Sequence, residues 1–306
     1  MTVRFEDAEG YRPADQTQRW NQSFYFNFYD PACKVGCFIR IGILENLKES
    51  NSWCVFFMDG KPLFARQNLN LPYTAQRLDK GIEIAGMRLR ALEPMKKTSF
   101  SIEAQDFSAT LQFDQMYPMQ DAIAISKGQE GSITAAIAHV HAEGPCRVTG
   151  TVTLRGGKSI PIAGKGFRDV AYGTRDWDLL RHYRLAWPIF DNGLVVAAVH
   201  GYSMNYDSAH MQMLNDGSGW VAIKSLEDRN TYGDDDMTIE KMDWKVVDAR
   251  GRSYAFTGRK LFRWFFPADT FVLTEQMMEY RLSDGTLGYG LGECGYRFPW
   301  SGNGNW

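Results

Sequence analysis

Apolar and polar positions alternate with a period of two along most of this chain, most sharply at Ser23-Phe24-Tyr25-Phe26-Asn27-Phe28-Tyr29-Asp30. Phe24, Phe26 and Phe28 fall on one side of an extended strand and Tyr25, Asn27 and Tyr29 on the other, giving one greasy and one aromatic-polar face. Cys37 to Leu44 and Trp53 to Met58 repeat the β-branched and aromatic composition, and Asp59-Gly60 supplies a hairpin turn. Gly81 to Leu92, Thr98 to Ala104 and Ser108 to Phe113 predict further short strands at the spacing of an all-β sandwich or barrel. Tyr117 to Lys127 is ambiguous and has room for a helical turn. Ser132 to Glu143 alternates again, and Cys146 to Leu154 makes a strand closed by Arg155-Gly156-Gly157-Lys158. Ser159 to Phe167 then leads straight into a charged, glycine-rich stretch, Gly164 to Trp177.

Beyond that stretch, Asp178 to Trp187 is the best candidate for a helix or long loop. Leu194 to Tyr202, His210 to Leu214 and Gly219 to Ser225 read as strands, and Asp228 to Asp236 as a polar loop with a solvated acidic tip. Thr238 to Asp248 and Arg252 to Thr257 flank a second hairpin. Phe271 to Gln276, Met277 to Leu282 and Leu287 to Tyr296 finish the chain. Few stretches of helical periodicity exceed about ten residues, so the fold class is all-β, with about 16 to 20 strands, too many for one small barrel. A boundary near residue 155 divides the chain into 1–155 and 156–306, each with its own strand set.

Composition narrows the function. With 306 residues the chain can bury a substantial core, and a net charge of -2 gives no electrostatic case for nucleic acid or an anionic membrane. Aromatic residues at 14%, nine of them Trp and 19 Phe, suit an apolar cavity as well as a core. Five scattered cysteines read as reduced thiols. The N-terminus has no apolar signal region, and no uncharged run approaches the roughly 20 residues of a membrane span. A soluble, cytoplasmic protein with no integral membrane segment is expected, and a homodimer is compatible with the sequence.

The chemistry is expected in Gly164 to Trp177, which sets Arg168-Asp169 and Arg175-Asp176 among glycine, alanine and aromatics. Such pairs either lock strands through charge-assisted hydrogen bonds or supply a carboxylic acid that burial keeps protonated near neutral pH. Gly164, Gly166 and Gly173 permit tight turns or close backbone approach under either reading. His139 and His141 have the two-residue spacing of a metal-ligand pair on a strand, but no local motif adds a third ligand, and barrel-lining residues are the better reading. Gly156-Gly157-Lys158-Ser159 lacks the upstream glycine of a phosphate loop, Val152 standing there. Gly288, Gly290 and Gly292 alternate along a strand, leaving one face bare for a ligand or another strand. Glu293, next to them, has either a site role or an Arg-paired structural one. No Gly-x-Ser-x-Gly elbow anchors a serine hydrolase.

Taken together, Gly164 to Trp177, the strand at 23 to 30 and Gly290-x-Gly292-Glu293 resemble the lipocalin-like superfamily of carotenoid 1,2-hydratase (hydroxyneurosporene synthase), AttH-type proteins and fungal decalin-forming Diels-Alderases. The resemblance implies two tandem lipocalin-like antiparallel β-barrels or half-barrels with few short helices, and cofactor-free chemistry on large apolar substrates. Val170 and Tyr172 replace the His and Trp of the superfamily pattern, which removes any proton relay through that His and changes the pocket. The expected function is a cofactor-independent lyase or isomerase (hydratase, dehydratase or cyclase) acting by Brønsted acid catalysis on an isoprenoid- or steroid-like compound. Asp169 is the first choice for the acid and Asp176 the second, with Arg168 and Arg175 positioning them. Tyr25, Tyr172 and Trp177 would stabilise positive charge through their rings. Asn27 and Glu293 join the substrate-binding set, and His182 and His200 are candidate bases. A non-catalytic carrier of an apolar small molecule, or a pericyclase that only shapes a polyene, are the alternatives.

Overall fold

Strands form almost wherever the alternation predicts them. The computed structural model describes residues 3–10, 16–73, 76–126, 138–205, 207–268 and 270–298. Their strands in the first half are β1 (Trp20–Asp30), β2 (Val35–Leu44), β3 (Glu49–Met58), β4 (Lys61–Pro72), β5 (Ile82–Ile84), β6 (Met87–Glu93), β7 (Lys97–Ala104), β8 (Phe107–Gln115), β9 (Gln120–Asp121), β10 (Val140–Leu154) and β11 (Ser159–Thr174). The second half adds β12 (Leu180–Phe190), β13 (Val195–Ser203), β14 (Ser208–Asn215), β15 (Trp220–Tyr232), β16 (Ile239–Asp248), β17 (Ser253–Ala268), β18 (Phe271–Leu282) and β19 (Leu287–Arg297). Among the described residues, helix is confined to the single turns α1 (Phe5–Ala8) and α2 (Ala122–Ile125) and two 3-10 turns, Glu45–Leu47 and Trp177–Leu179. Among the described residues no helix is long and apolar enough to cross a membrane.

The first unit, Met1–Asp121 with Ala138–Arg175, is an antiparallel sheet in the order β4-β3-β2-β1-β11-β10-β8-β7-β6-β5, with β9 beside β10. It curls into a half-barrel around Phe24, Phe26 and Phe28 of β1, which pack with Ile39, Ile41, Phe56, Phe113 and Val170. Burying each such side chain contributes about 1.5 to 3 kcal/mol. A one-residue slip of β1 would turn all three Phe outward, so the register is firmly set. Asp59 and Gly60 both have positive φ, 50° and 74°, as the predicted two-residue hairpin turn requires.

The second unit, Ala122–Ile137 with Asp176–Trp306, is a closed antiparallel barrel, β12 through β19 in sequence order. Phe190, Val196, Leu214, Trp244, Val246 and Phe256 pack together in its interior. The glycine stripe on β19 faces the same interior. A methyl group at Gly292 would meet Met278, Met242 and Tyr280, so the bare face is occupied by the barrel's own side chains.

Three expectations change. The stretch from Asp178 to Trp187 is not a helix or long loop: from Leu180 it is β12, paired on both edges by β13 and β19. The polar loop at Asp228 to Asp236 is strand as far as Tyr232, because β15 continues along β16. The chain passes to the second unit at Asp176 rather than at 155, where the turn merely joins β10 to β11, its neighbour in the first sheet. The expected strand at Ser132 to Glu143 begins at Val140 in the structure, and residues 132–137 lie outside those described.

Candidate functional site

The charged motif is itself a strand, so alternation decides where its side chains go. Asp169 lies opposite Tyr25 on β1 and opposite Glu143 on β10, and Tyr25 lies opposite Arg40 on β2, which lies opposite Trp53 on β3. Glu143, Asp169, Tyr25, Arg40 and Trp53 therefore form one row on the sheet face away from the Phe24-Phe26-Phe28 core. Glu143, Asp169, Tyr25 and Trp53 are buried. His141, two residues before Glu143, shares the face: its Nδ1 comes within 2.8 Å of the Glu143 carboxyl and its Nε2 within 4.0 Å of the Asp169 carboxyl. The Nδ1 approach lies off the hydrogen-bonding direction. An imidazole thus sits between two carboxyl groups.

Burial sets the charge states. It raises the Asp169 carboxyl from 3.8 to about 6, against the opposing pull of His141, and Glu143 adds to the rise while Arg175 and Arg40 act against it. Burial also drives Glu143 well above the carboxylate range, reinforced by Asp121. The same desolvation lowers His141, with Asp169 opposing. Near neutral pH the cluster contains a neutral Glu143, a neutral His141 and an Asp169 close to its titration point.

Arg168 is on the other side of the strand. Its side chain is fully buried in the half-barrel core, in contact with Glu9 and over the ring of Phe26 at 5.5 Å. Burial draws its guanidinium down to about 9, with the charge of Asp169 opposing the fall. Glu9 also accepts from the Met95 amide at 2.5 Å, so the pair ties the N-terminal turn to β11. Val170 and Tyr172 share that face: Val170 packs in the core, and Tyr172 lies 6.1 Å from the Trp20 ring. None of the three can touch a molecule lying against Asp169. Asn27 faces the Asp169 side but is spent on structure, its Oδ1 accepting from the Phe167 amide at 3.1 Å. A methyl at Gly166 would strike the Asn27 carbonyl, which is why glycine is required at that crossing. His139 is not in the strand; its ring packs edge-on against Trp20 at 5.6 Å.

The remaining expected residues belong to the second unit, apart from Arg175, whose amide donates to the Arg19 carbonyl at 2.9 Å. Asp176 caps the short 3-10 turn, accepting from the Asp178 amide at 3.0 Å. Trp177 stacks on Phe271 at 5.1 Å. Glu293 accepts from the Tyr183 hydroxyl on the barrel's outer wall. His182 and His200 point into the barrel, where Arg184 Nε donates to Asp228 at 2.7 Å and His200 Nδ1 lies 3.2 Å from the same carboxylate. A groove of about 470 Å³ on the wall formed by β15 to β18, lined by Arg229, Lys241, Asp243, Arg259 and Arg281 among others, contains none of the expected site residues.

The model of the family described as "Domain of unknown function (DUF7064)" matches residues 6–297. The chain belongs to this family. A search of curated proteins found no match. Among solved structures, the chain is similar to an AttH protein of Nitrosomonas europaea, at 13% identity over 92% of this chain and 96% of that one, with a TM-score of 0.65. CghA with Sch210972 is 11% identical over 91% and 88% of the two chains, with a TM-score of 0.66. Kievitone hydratase from Nectria haematococca is 10% identical over 97% and 96%, with a TM-score of 0.61. At these identities the likeness is one of fold, and this DUF7064 member shares the fold of those three structures.

Two members of the polar row escaped the sequence reading. Glu143 and Arg40 are ordinary in sequence, and only pairing across β10, β11, β1 and β2 brings them to Asp169. One signal was present: His141 and Glu143 are two apart on a strand and must share a face, but His139 was taken as the partner instead. Asp228 was missed for the opposite reason, read as solvated when its side chain is only 9% exposed.

Proposed function

We propose that the chain is a cofactor-independent enzyme of the lyase or isomerase type, with Asp169 as its Brønsted acid, flanked by His141 and Glu143. The observation that carries this is the buried Asp169 carboxyl, held near pH 6 by desolvation and placed within 4.0 Å of a neutral imidazole. A carboxyl at that pKa keeps a substantial protonated fraction near neutrality and still returns its proton readily. Proton donation to an alkene or to a hydroxyl leaving group leaves a cation, and the aromatic face beside Asp169 suits one. Tyr25 stands directly opposite, Arg40 already lies over the Trp53 ring at 4.7 Å, and Phe38 and Phe57 continue the face. His141, neutral, is placed to take a proton from the cation or from water once Asp169 has given one.

The substrate class follows from the same face. The Asp169 acid and its few polar neighbours lie amid Tyr, Trp and Phe, which suits an apolar, polycyclic or polyene molecule such as an isoprenoid or steroid better than a sugar or nucleotide. The fold is shared with kievitone hydratase and with CghA, which was solved with Sch210972, and this supports small-molecule chemistry without identifying the substrate.

The test is solvent extraction of the purified protein, native mass spectrometry of what it holds, and incubation of that compound and its analogues with fresh protein. Gain or loss of one water, or a new retention time at constant mass, is expected with wild type and absent with Asp169→Asn. A compound returned unaltered by both proteins would make the chain a carrier. Conversion that survives Asp169→Asn would make it a pericyclase.

A further inference from the structure

The barrel of the second unit contains a separate acid–base group. His200 on β13 lies opposite Arg184 on β12 and His210 on β14, all three on the inward face of the wall. Asp228 on β15, opposite the core residue Trp244, faces inward as well. The Arg184 guanidinium donates through Nε to Asp228 at 2.7 Å, and both Asp228 oxygens lie 3.2 Å from His200 Nδ1. Arg184 Nη2 also approaches that nitrogen, at 3.3 Å. Both oxygens of the anionic carboxylate face Nδ1, so in the neutral ring Nδ1 carries the proton and donates it to Asp228, leaving the lone pair on Nε2. Burial opposes ionisation of Asp228, but the His200 hydrogen bond and the Arg184 charge hold its carboxyl below the ordinary range. His200 Nε2 has no partner among the described residues, and the side chain keeps 13% exposure.

Among the described residues, β14 and β15 pair only through Met213–Ala222, Leu214–Val221 and Asn215–Trp220, beside this group. Ser208 to Gln212 on one strand and Lys224 to Tyr232 on the other therefore run unpaired with each other. Instead, the Gln212 amide donates to Ser126 Oγ at 2.8 Å. Exposed Ser208 and half-buried His210 stand on one side of the parted seam and Asp228 on the other. Aromatic rings surround the entry: His210 stacks on His200 at 4.6 Å, Tyr202 lies 4.9 Å from it, and His182 stacks on Tyr202 at 5.0 Å. His182, buried and beside Arg184, is driven down to about 3 and stays neutral.

We infer that this seam is a binding site for a weakly acidic aromatic hydroxyl compound, a phenol or cyclic enol, whose O–H is received by His200 Nε2. In the transfer the ligand's O–H bond breaks, its electron pair stays on oxygen, and the proton forms the Nε2–H bond of an imidazolium. Asp228 steadies that imidazolium and the Arg184 charge favours the oxyanion. The ring belt supplies the stacking surface.

The experiment titrates the full-length protein with para-nitrophenol in slightly acidic buffer and follows the phenolate absorbance band. Saturable growth of that band beyond the free probe at the same pH is expected with wild type, and at least about tenfold weaker binding with His200→Gln. Asp169→Asn should bind the probe as wild type does, which separates this site from the acid of the first unit. Equal growth with His200→Gln, or no saturable growth with wild type, would overturn the inference. Wild-type protein carrying nitrogen-15 in its five histidine rings gives a reading that depends on no variant folding. The His200 Nε2 signal should move from the unprotonated to the protonated position as probe is added, and an unmoved signal would equally refute the site.

Discussion

Asp169 and Asp228 are both largely buried strand aspartates with a histidine and an arginine close in sequence or space, yet their carboxyls move in opposite directions from the ordinary value. At Asp169 the neighbouring arginine in sequence, Arg168, points to the far face of the strand and is taken by Glu9, so desolvation prevails and the carboxyl rises to about 6. At Asp228 a guanidinium donates directly at 2.7 Å and an imidazole N–H faces the same group, so desolvation is overcome and the carboxyl is held low. Burial alone does not make an acid. What decides is whether a cation lies on the same face at hydrogen-bonding distance. The first arrangement suits a proton donor, the second a fixed anion beside an imidazole.

The comparison breaks most decisively at the acid. Asp169→Asn should reduce turnover by on the order of 10² to 10⁴, the usual contribution of a general acid, measured on the extracted substrate. Asp228→Ala should leave Arg184 buried without its carboxylate and cost about 3 to 5 kcal/mol of stability, read by chemical denaturation. Glu143→Gln, replacing a group that burial keeps neutral, should cost far less in the same assay.

The pH dependences should have opposite signs. Asp169 binds its proton more tightly in the folded state than in the unfolded one, so its contribution is complete below pH 3.8 and is lost as pH rises to about 6. Asp228 behaves inversely, its contribution present above 3.8 and lost as pH falls below it. Asp169→Asn should therefore be more stable than wild type at neutral pH by up to about 3 kcal/mol, at about 1.4 kcal/mol per pKa unit, with the gain vanishing below pH 4 in parallel melts. A catalytic group removed at a gain in stability is a signature that a structural ion pair would not give. The smallest effect is expected at Asp176, where Asp176→Ala should leave turnover intact and cost about 1 kcal/mol, the worth of a lost cap.

Sequence periodicity was enough to read the strands and the all-β class, because Phe24, Phe26 and Phe28 can share a buried face in only one way. Asp169 stands out through the charged, glycine-rich stretch at 164–177 rather than through periodicity. Periodicity could not assign its neighbours, since Glu143, Tyr25 and Arg40 are brought together by register across four strands rather than by spacing along one. Dipeptide proximity misled at Arg168-Asp169, where consecutive strand residues face opposite ways. Charge density misled at Asp228, because a polar run that ends in a loop can begin inside a barrel.

The most direct measurement is a titration of carbon-13-labelled aspartate carboxyls by NMR, with Asp169→Asn and Asp228→Asn used for assignment. Asp169 titrating near pH 6 while Asp228 stays ionised below pH 3.8 is the predicted result. Two aspartates titrating together in the ordinary carboxylate range, or Asp169 remaining ionised throughout, would contradict the assignment of Asp169 as the acid.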